Sequence, residues 1–154
     1  MKVAKLVSFG VLLGLLGGVG VSFAFAADPV VTVKNAWVRA TVGPQKTTGA
    51  FLQIDCKTEL TLVKVDSDVA AMVEMHEMKM DSGTMKMREV EQIACVPGKT
   101  TELAPGGFHI MLMNVHKPVK EGDHIALDLV FENKQKKKTT VKVDAVAKGL
   151  NAAK

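Results

Sequence analysis

Aromatic residues are scarce in this sequence, 5% of the chain, with one tryptophan and no tyrosine. No basic stripe is interleaved with aromatic rings, so the electrostatic and stacking footprint of a nucleic-acid binder is missing. No stretch beyond residue 30 sustains the 3.6-residue apolar period of an amphipathic helix. Internal repeats and low-complexity segments are absent, and no Ser/His/Asp or Cys/His grouping supports hydrolysis. What is present, 154 residues with 47% hydrophobic and 23% charged, fits one globular domain and not a disordered chain.

The N-terminal segment reads as a targeting device. Lys2 and Lys5 form a positive n-region, Leu6 to Val21 is an apolar run, and Ala24-Phe25-Ala26 offers a small-x-small cleavage site. An uncleaved membrane anchor is the alternative, against which stand Gly10, Gly14, Gly17 and Gly18 and the cleavage signature. The expected organisation is a secretory signal peptide over 1–26 and a single β-sandwich domain over 27–154, placed in the periplasm. Removal of Lys2 and Lys5 takes the formal charge from +4 to +2, so the pI of 9.1 overstates how basic the mature protein is.

Only two cysteines occur, Cys56 and Cys95. In an oxidising compartment such a pair more often forms a disulfide than remains as thiols. The bond would close a loop of about 40 residues, which the chain-entropy model values at about 4 kcal/mol. Buried free thiols and a metal role are the alternatives.

From Val30 onward the apolar residues alternate with period two. Ile125, Leu127, Leu129 and Phe131 form one such row; Val141, Val143 and Ala145 form another. Strands are expected near 30–40, 49–56, 59–67, 71–80, 85–91, 100–103, 108–115, 124–131 and 138–147. Turn signals at Asp81-Ser82-Gly83, Pro97-Gly98, Pro105-Gly106-Gly107, Glu121-Gly122-Asp123 and Asn133 to Lys138 punctuate them. Eight or nine short strands at this spacing predict an all-β antiparallel sandwich or barrel with Greek-key connections. The lysines at 134 and 136 to 138 read as a solvated hairpin tip, or else as a docking patch for a membrane or acidic partner.

Of nine methionines, eight fall within 72–87 and 108–113, two short stretches each with a histidine. In the first, Glu74 to Met87, a turn at Asp81 to Thr84 implies a hairpin. Pairing symmetric about Ser82 and Gly83 sets Met80 opposite Met85, Met78 opposite Met87, and His76 diagonal to Met87, about 7 to 8 Å away. In the second, Phe108 to Met113, strand alternation sends His109, Met111 and Met113 to one face, expected to look outward, with Ile110 and Leu112 toward the core. A methionine stripe is often mere packing, the reading adopted for Met75 and Met113. Met78, Met80, Met85 and Met87 alternate with charged or polar residues beside a tight turn, where a core is least expected. His116 and His124 read as surface imidazoles, and Glu74, Glu77 and Asp81 as surface charges beside the site.

Thioethers with neutral imidazoles favour a soft monovalent ion, Cu(I), over Zn or Ca. Such a site loses affinity as its histidines protonate, below about pH 6.

The spacing His76, Met87, His109, Met111 is H-x10-M-x21-H-x-M, which resembles the motif of the periplasmic PCuAC copper chaperones. Ala36-Trp37-Val38-Arg39-Ala40, Thr48-Gly49-Ala50-Phe51 and Pro105-Gly106-Gly107-Phe108-His109 are similar to that family as well. The resemblance implies a cupredoxin-like fold and one solvent-accessible Cu(I) per chain, held by those four residues. Met78, Met80, Met85 and Met113 would be auxiliary ligands or neighbours. It also implies delivery of copper to a respiratory oxidase, through the subunit carrying the CuA centre or a Sco-type assembly factor. A monomer that is not an enzyme and takes no small-molecule substrate is expected. Nothing after His124 is His or Met, so the Cu(II)-binding tail of some members is not expected.

Two other functions use the same residues differently. A copper buffer serving resistance would keep the ligands without a dedicated acceptor. A blue-copper protein would need a Cys thiolate beside two His and a Met, whereas Cys95 lies fourteen residues before His109 with no His-Met run close behind it.

Overall fold

The computed structural model describes residues 29–153, so the signal-peptide expectation lies outside the described residues. Ten strands occur in the order β1 (Val31–Arg39), β2 (Thr47–Cys56), β3 (Leu60–Asp66), β4 (Ala70–Asp81), β5 (Thr84–Glu89), β6 (Ile93–Cys95), β7 (Thr101–Leu103), β8 (Phe108–Val115), β9 (His124–Glu132) and β10 (Lys138–Lys148). A 3-10 turn, Leu150–Ala153, ends the described chain. Nine strands coincide with the expected segments. The extra one, β6, is three residues long, too short to carry a periodic signal, and is defined by its pairing of Cys95 with Leu60 and Ile93 with Leu62.

The hydrogen-bonded order is β5-β4-β8-β7-β2-β1-β10-β9-β3-β6, with β8 also paired to β2. Its inner face gathers Leu52, Ile54, Ile110 and Leu112 from one half and Leu62, Leu127, Leu129 and Phe131 from the other into one core, each at most 1% exposed. The sheet therefore curls until its two halves cover each other, the only way a one-sided apolar sheet hides that face. Most pairings are antiparallel, as expected. The exceptions are β1 with β10 and β7 with β8, which run parallel. β1 and β10 are the first and last strands, and the whole intervening chain serves as the long crossover that a parallel pair needs.

Two local devices shape the outer face and the far edge of this sheet. A bulge between Lys34 and Trp37 in β1 inserts an extra residue, with Asn35 at φ 51°. Before it Val31 faces the core; after it Val38 and Ala40 do, so Trp37 and Arg39 are turned to the outer face. Cys56 at the end of β2 is bonded to Cys95 on β6, with Cα atoms 6.0 Å apart. That bond joins strands five places apart in the sheet order and ties the far edge back across the core. The lysine run forms the β9–β10 tip, where Lys136 pairs with Glu132 and Lys134 with Glu59, both at 2.8 Å.

Because the disulfide closes a separation of 39 residues, the double substitution Cys56→Ser/Cys95→Ser should cost about 4 kcal/mol. Urea unfolding, with and without reductant, measures it; reductant should remove the difference between the two proteins.

Candidate metal centre

The β4–β5 hairpin turns through Ser82 (φ 50°) and Gly83 (φ 83°), the two left-handed positions of a type I′ turn that matches strand twist. Its register pairs Asp81 with Thr84, Met80 with Met85, Met78 with Met87 and His76 with Glu89. Residues directly opposite share a face, so His76, Met78, Met80, Met85 and Met87 all lie on one side and Met87 is diagonal to His76. Glu74 and Glu89 share the face of His76, while Lys79, Lys86, Arg88, Glu77 and Asp81 take the other side. There Arg88 donates to Glu77 at 2.8 Å and Lys86 to Asp81 at 2.7 Å. The Lys86 bond, with a second from the Ser82 hydroxyl, holds the Asp81 carboxyl below its usual range.

The other edge of β4 pairs with β8, which sets His76 opposite His109 and Glu74 opposite Met111. The imidazole centres are 5.8 Å apart. Two imidazoles sharing one ion, each nitrogen about 2.0 Å from it, have ring centres about 5 to 6 Å apart, so the pair can hold a single metal. Beyond β8 the row of rings continues into Phe51, 6.4 Å from His109, and Trp37, 4.5 Å from Phe51. This row corrects the expectation that the His-x-Met strand looks freely outward. His109 is only 6% exposed, set between the His76 ring and the Phe51 ring. Met111 is half-buried beside it, opposite Gly49.

Of the remaining sequence candidates, Met75 is buried in the core and Met113 is half-buried against Met72 and Thr47. Met78 is half-buried next to Met87, whereas Met80, Met85 and Met87 are exposed. His116 and His124 are exposed, the latter bonded to Asp144. A cleft of about 510 Å³ borders Met78, His109 and Met111 with Arg39, Phe51 and Pro105; His76 and Met87 are not in its lining. His76 and His109 are thus brought together directly and Met111 lies two residues along the same face, while Met87 lies on the outer strand, diagonal to His76.

The imidazoles are presented with defined protonation. His109 Nδ1 lies 3.0 Å from the Gly107 carbonyl, which can only accept, so Nδ1 carries the proton and Nε2 keeps its lone pair. His76 Nε2 donates to the Glu74 carboxylate at 2.9 Å, which leaves the lone pair on Nδ1. That Nδ1 is buried and has no hydrogen-bond partner. A buried, unpaired acceptor costs on the order of 1–3 kcal/mol, and an imidazole anchored through its other nitrogen is the arrangement metal ligands adopt. Among the described residues no three His, Cys, Asp or Glu side chains converge on one point. The thioethers of Met78 and Met111 share the face of this histidine pair, and such donors favour a soft ion.

The sequence pattern assigns Glu74 to the surface and gives Gly107, Gly49 and Phe51 no role; the structure gives each one. Glu74 orients His76. The Gly107 carbonyl accepts from both His109 and the Met78 amide, each at 3.0 Å, so one turn fixes β8 against the hairpin. Gly106, at φ 87° after Pro105, supplies the left-handed position of that turn. A Cβ on Gly49 would stand 3.0 Å from the Phe51 ring, so glycine is what lets the ring lie there. The Pro-Gly-Gly and Thr-Gly-Ala-Phe segments are visible as signals, but their purpose depends on contacts distant in sequence.

Known proteins share this architecture. The sequence model of LpqE-like lipoproteins matches residues 31–143. A protein of Leifsonia xyli subsp. xyli named "Putative lipoprotein Lxx21020" is 33% identical over 111 residues, 67% of this chain but only 63% of that relative's length. The copper-bound PCuAC domain of PmoF2 superposes with a TM-score of 0.61 at 20% identity, covering 79% of this chain and 94% of that one. The CuI-DR1885 solution structure from Deinococcus radiodurans gives 0.55 at 24% identity, covering 84% of each chain. The common fold is a cupredoxin-like β-sandwich.

If Glu74 sets the His76 tautomer, Glu74→Ala should weaken soft-metal binding about 10- to 100-fold while the fold persists. Competition for Ag(I) against a chromophoric chelator, with circular dichroism alongside, measures both quantities.

Proposed function

Given that the chain belongs to the LpqE-like family, of the PCuAC type, we propose that it is an exported carrier of Cu(I). His76, Met87, His109 and Met111 are its ligands, and it holds one tightly bound ion for transfer to another protein, without catalysis. The observation that carries this reading is the histidine pair itself: each ring is anchored through one nitrogen, and the His76 lone pair is buried with nothing to accept. Copper-bound relatives of the same fold support the choice of metal, and the lipoprotein naming of its relative supports export.

The exposure of the four ligands suits a carrier. Met87 is 52% exposed and His109 only 6%, so an acceptor's ligands meet the Met87 sulfur first and the His109 nitrogen last. Exchange can proceed one bond at a time, and neither thioether nor neutral imidazole adds charge that would hold a monovalent ion back. The acceptor fitting this role is the CuA-bearing subunit of a respiratory oxidase or a Sco-type assembly factor.

Anaerobic Cu(I) titration against a chromophoric chelator tests the site. One tight equivalent is expected at neutral pH, much weakened by Met87→Ala and by Met111→Ala. Affinity unchanged in both variants would refute the ligand set. Deleting the gene tests delivery: oxidase activity lost at low copper is the expected phenotype, whereas sensitivity confined to high copper would mean buffering.

A further inference from the structure

The β4–β5 hairpin carries more sulfur than the four-ligand centre uses. Met78 faces Met87 and, one step toward the tip, Met80 faces Met85. Asp81 and Thr84 close the two-residue turn as a hydrogen-bonded pair, so both methionine pairs fall at non-hydrogen-bonded positions. Facing side chains come closest there, with Cβ atoms about 4.5 to 5.5 Å apart. The bond from the Val90 amide to the Met75 carbonyl at 2.8 Å keeps that alternation at the other end of the hairpin.

Packing does not account for the outer pair. Met80 and Met85 are 60% and 44% exposed at the tip of the outermost strand pair, with no core within reach. The hairpin's cations do not share their face: Lys79, Lys86 and Arg88 are on the opposite side, where Lys86 is engaged by Asp81 and Arg88 by Glu77. An arriving positive ion therefore meets sulfur without a cation beside it. No imidazole or carboxylate belongs to the Met80–Met85 pair, so its preference is for a soft monovalent ion over Zn(II).

We propose that the hairpin tip is a second, weaker soft-metal site, in which Met80 and Met85 hold Cu(I) or Ag(I) with Met87 in diagonal reach, one step outward of the His76/His109 centre. It adds a weak equivalent to the single tight one. Only its place on the route to the inner centre rests on the carrier reading; binding at the tip stands independently of it.

The test is an Ag(I) titration of the protein labelled with 13C at the methionine methyls, followed by NMR. The first equivalent should shift Met87 and Met111, and a second, at least about tenfold weaker, should shift Met80 and Met85. Met80→Leu/Met85→Leu should abolish the second equivalent and leave the first within about twofold, since both positions are exposed and leucine keeps their apolar volume. A second equivalent that is missing, or that survives in the double variant, overturns the proposal. Shifts of Met80 and Met85 by Zn(II) would also overturn it. Failure of the first equivalent alone would sink the inner ligand set and leave the tip site standing.

Discussion

The pairing of β4 with β8 is the constraint on which the centre depends. It sets His76 opposite His109 and Glu74 opposite Met111, and since strand side chains alternate, a slip of one residue would send one imidazole into the core and bring Met75 or Ile110 out. The register is held on both faces. Inside, Met75, Ile110 and Leu112 are buried in the common core. At the end of the pair, the Gly107 carbonyl binds both the Met78 amide and the His109 ring.

Around this fixed pair the four proposed ligands are graded from rigid to accessible. His109 is packed beside Phe51 and pinned by a backbone carbonyl; His76 is pinned by a carboxylate; Met111 lies on the cleft; Met87 stands on the outer strand. The bulge in β1 turns Trp37 to the outer face, and the absence of a side chain at Gly49 lets the Phe51 ring lie between Trp37 and His109. The imidazoles are held in orientation while the Met87 thioether stays exposed, the combination that the proposed carrier role requires.

Much of the fold was legible because period-two alternation is strong wherever one face is buried. The row ending in Phe131 is buried in the core as its alternation implied, and of the row ending in Ala145 that alanine is buried while Val141 and Val143 are half-buried against the core. β6 was not legible: three residues carry no period, turn signals do not bracket it on both sides as they do the equally short β7, and its partner β3 lies about thirty residues earlier. The parallel β1–β10 pair was equally hidden, since nothing local records that the first and last strands meet. The alternation of His109 and Met111 was readable, but their burial was not, because the Phe51 ring beside His109 comes from β2.

The sequence alone determined the hairpin. Ser82-Gly83 permits the left-handed turn, and alternation then sets which methionines face which, all within twelve residues. It also determined the ligand chemistry, since thioether and imidazole select a soft ion wherever they converge. Only the tertiary structure decided that the two imidazoles meet. His76 and His109 are separated by thirty-three positions and meet because β8 adds to the free edge of β4. Their protonation is decided there too: Glu74 and Gly107 fix which nitrogen keeps its lone pair, through contacts that composition and spacing do not encode.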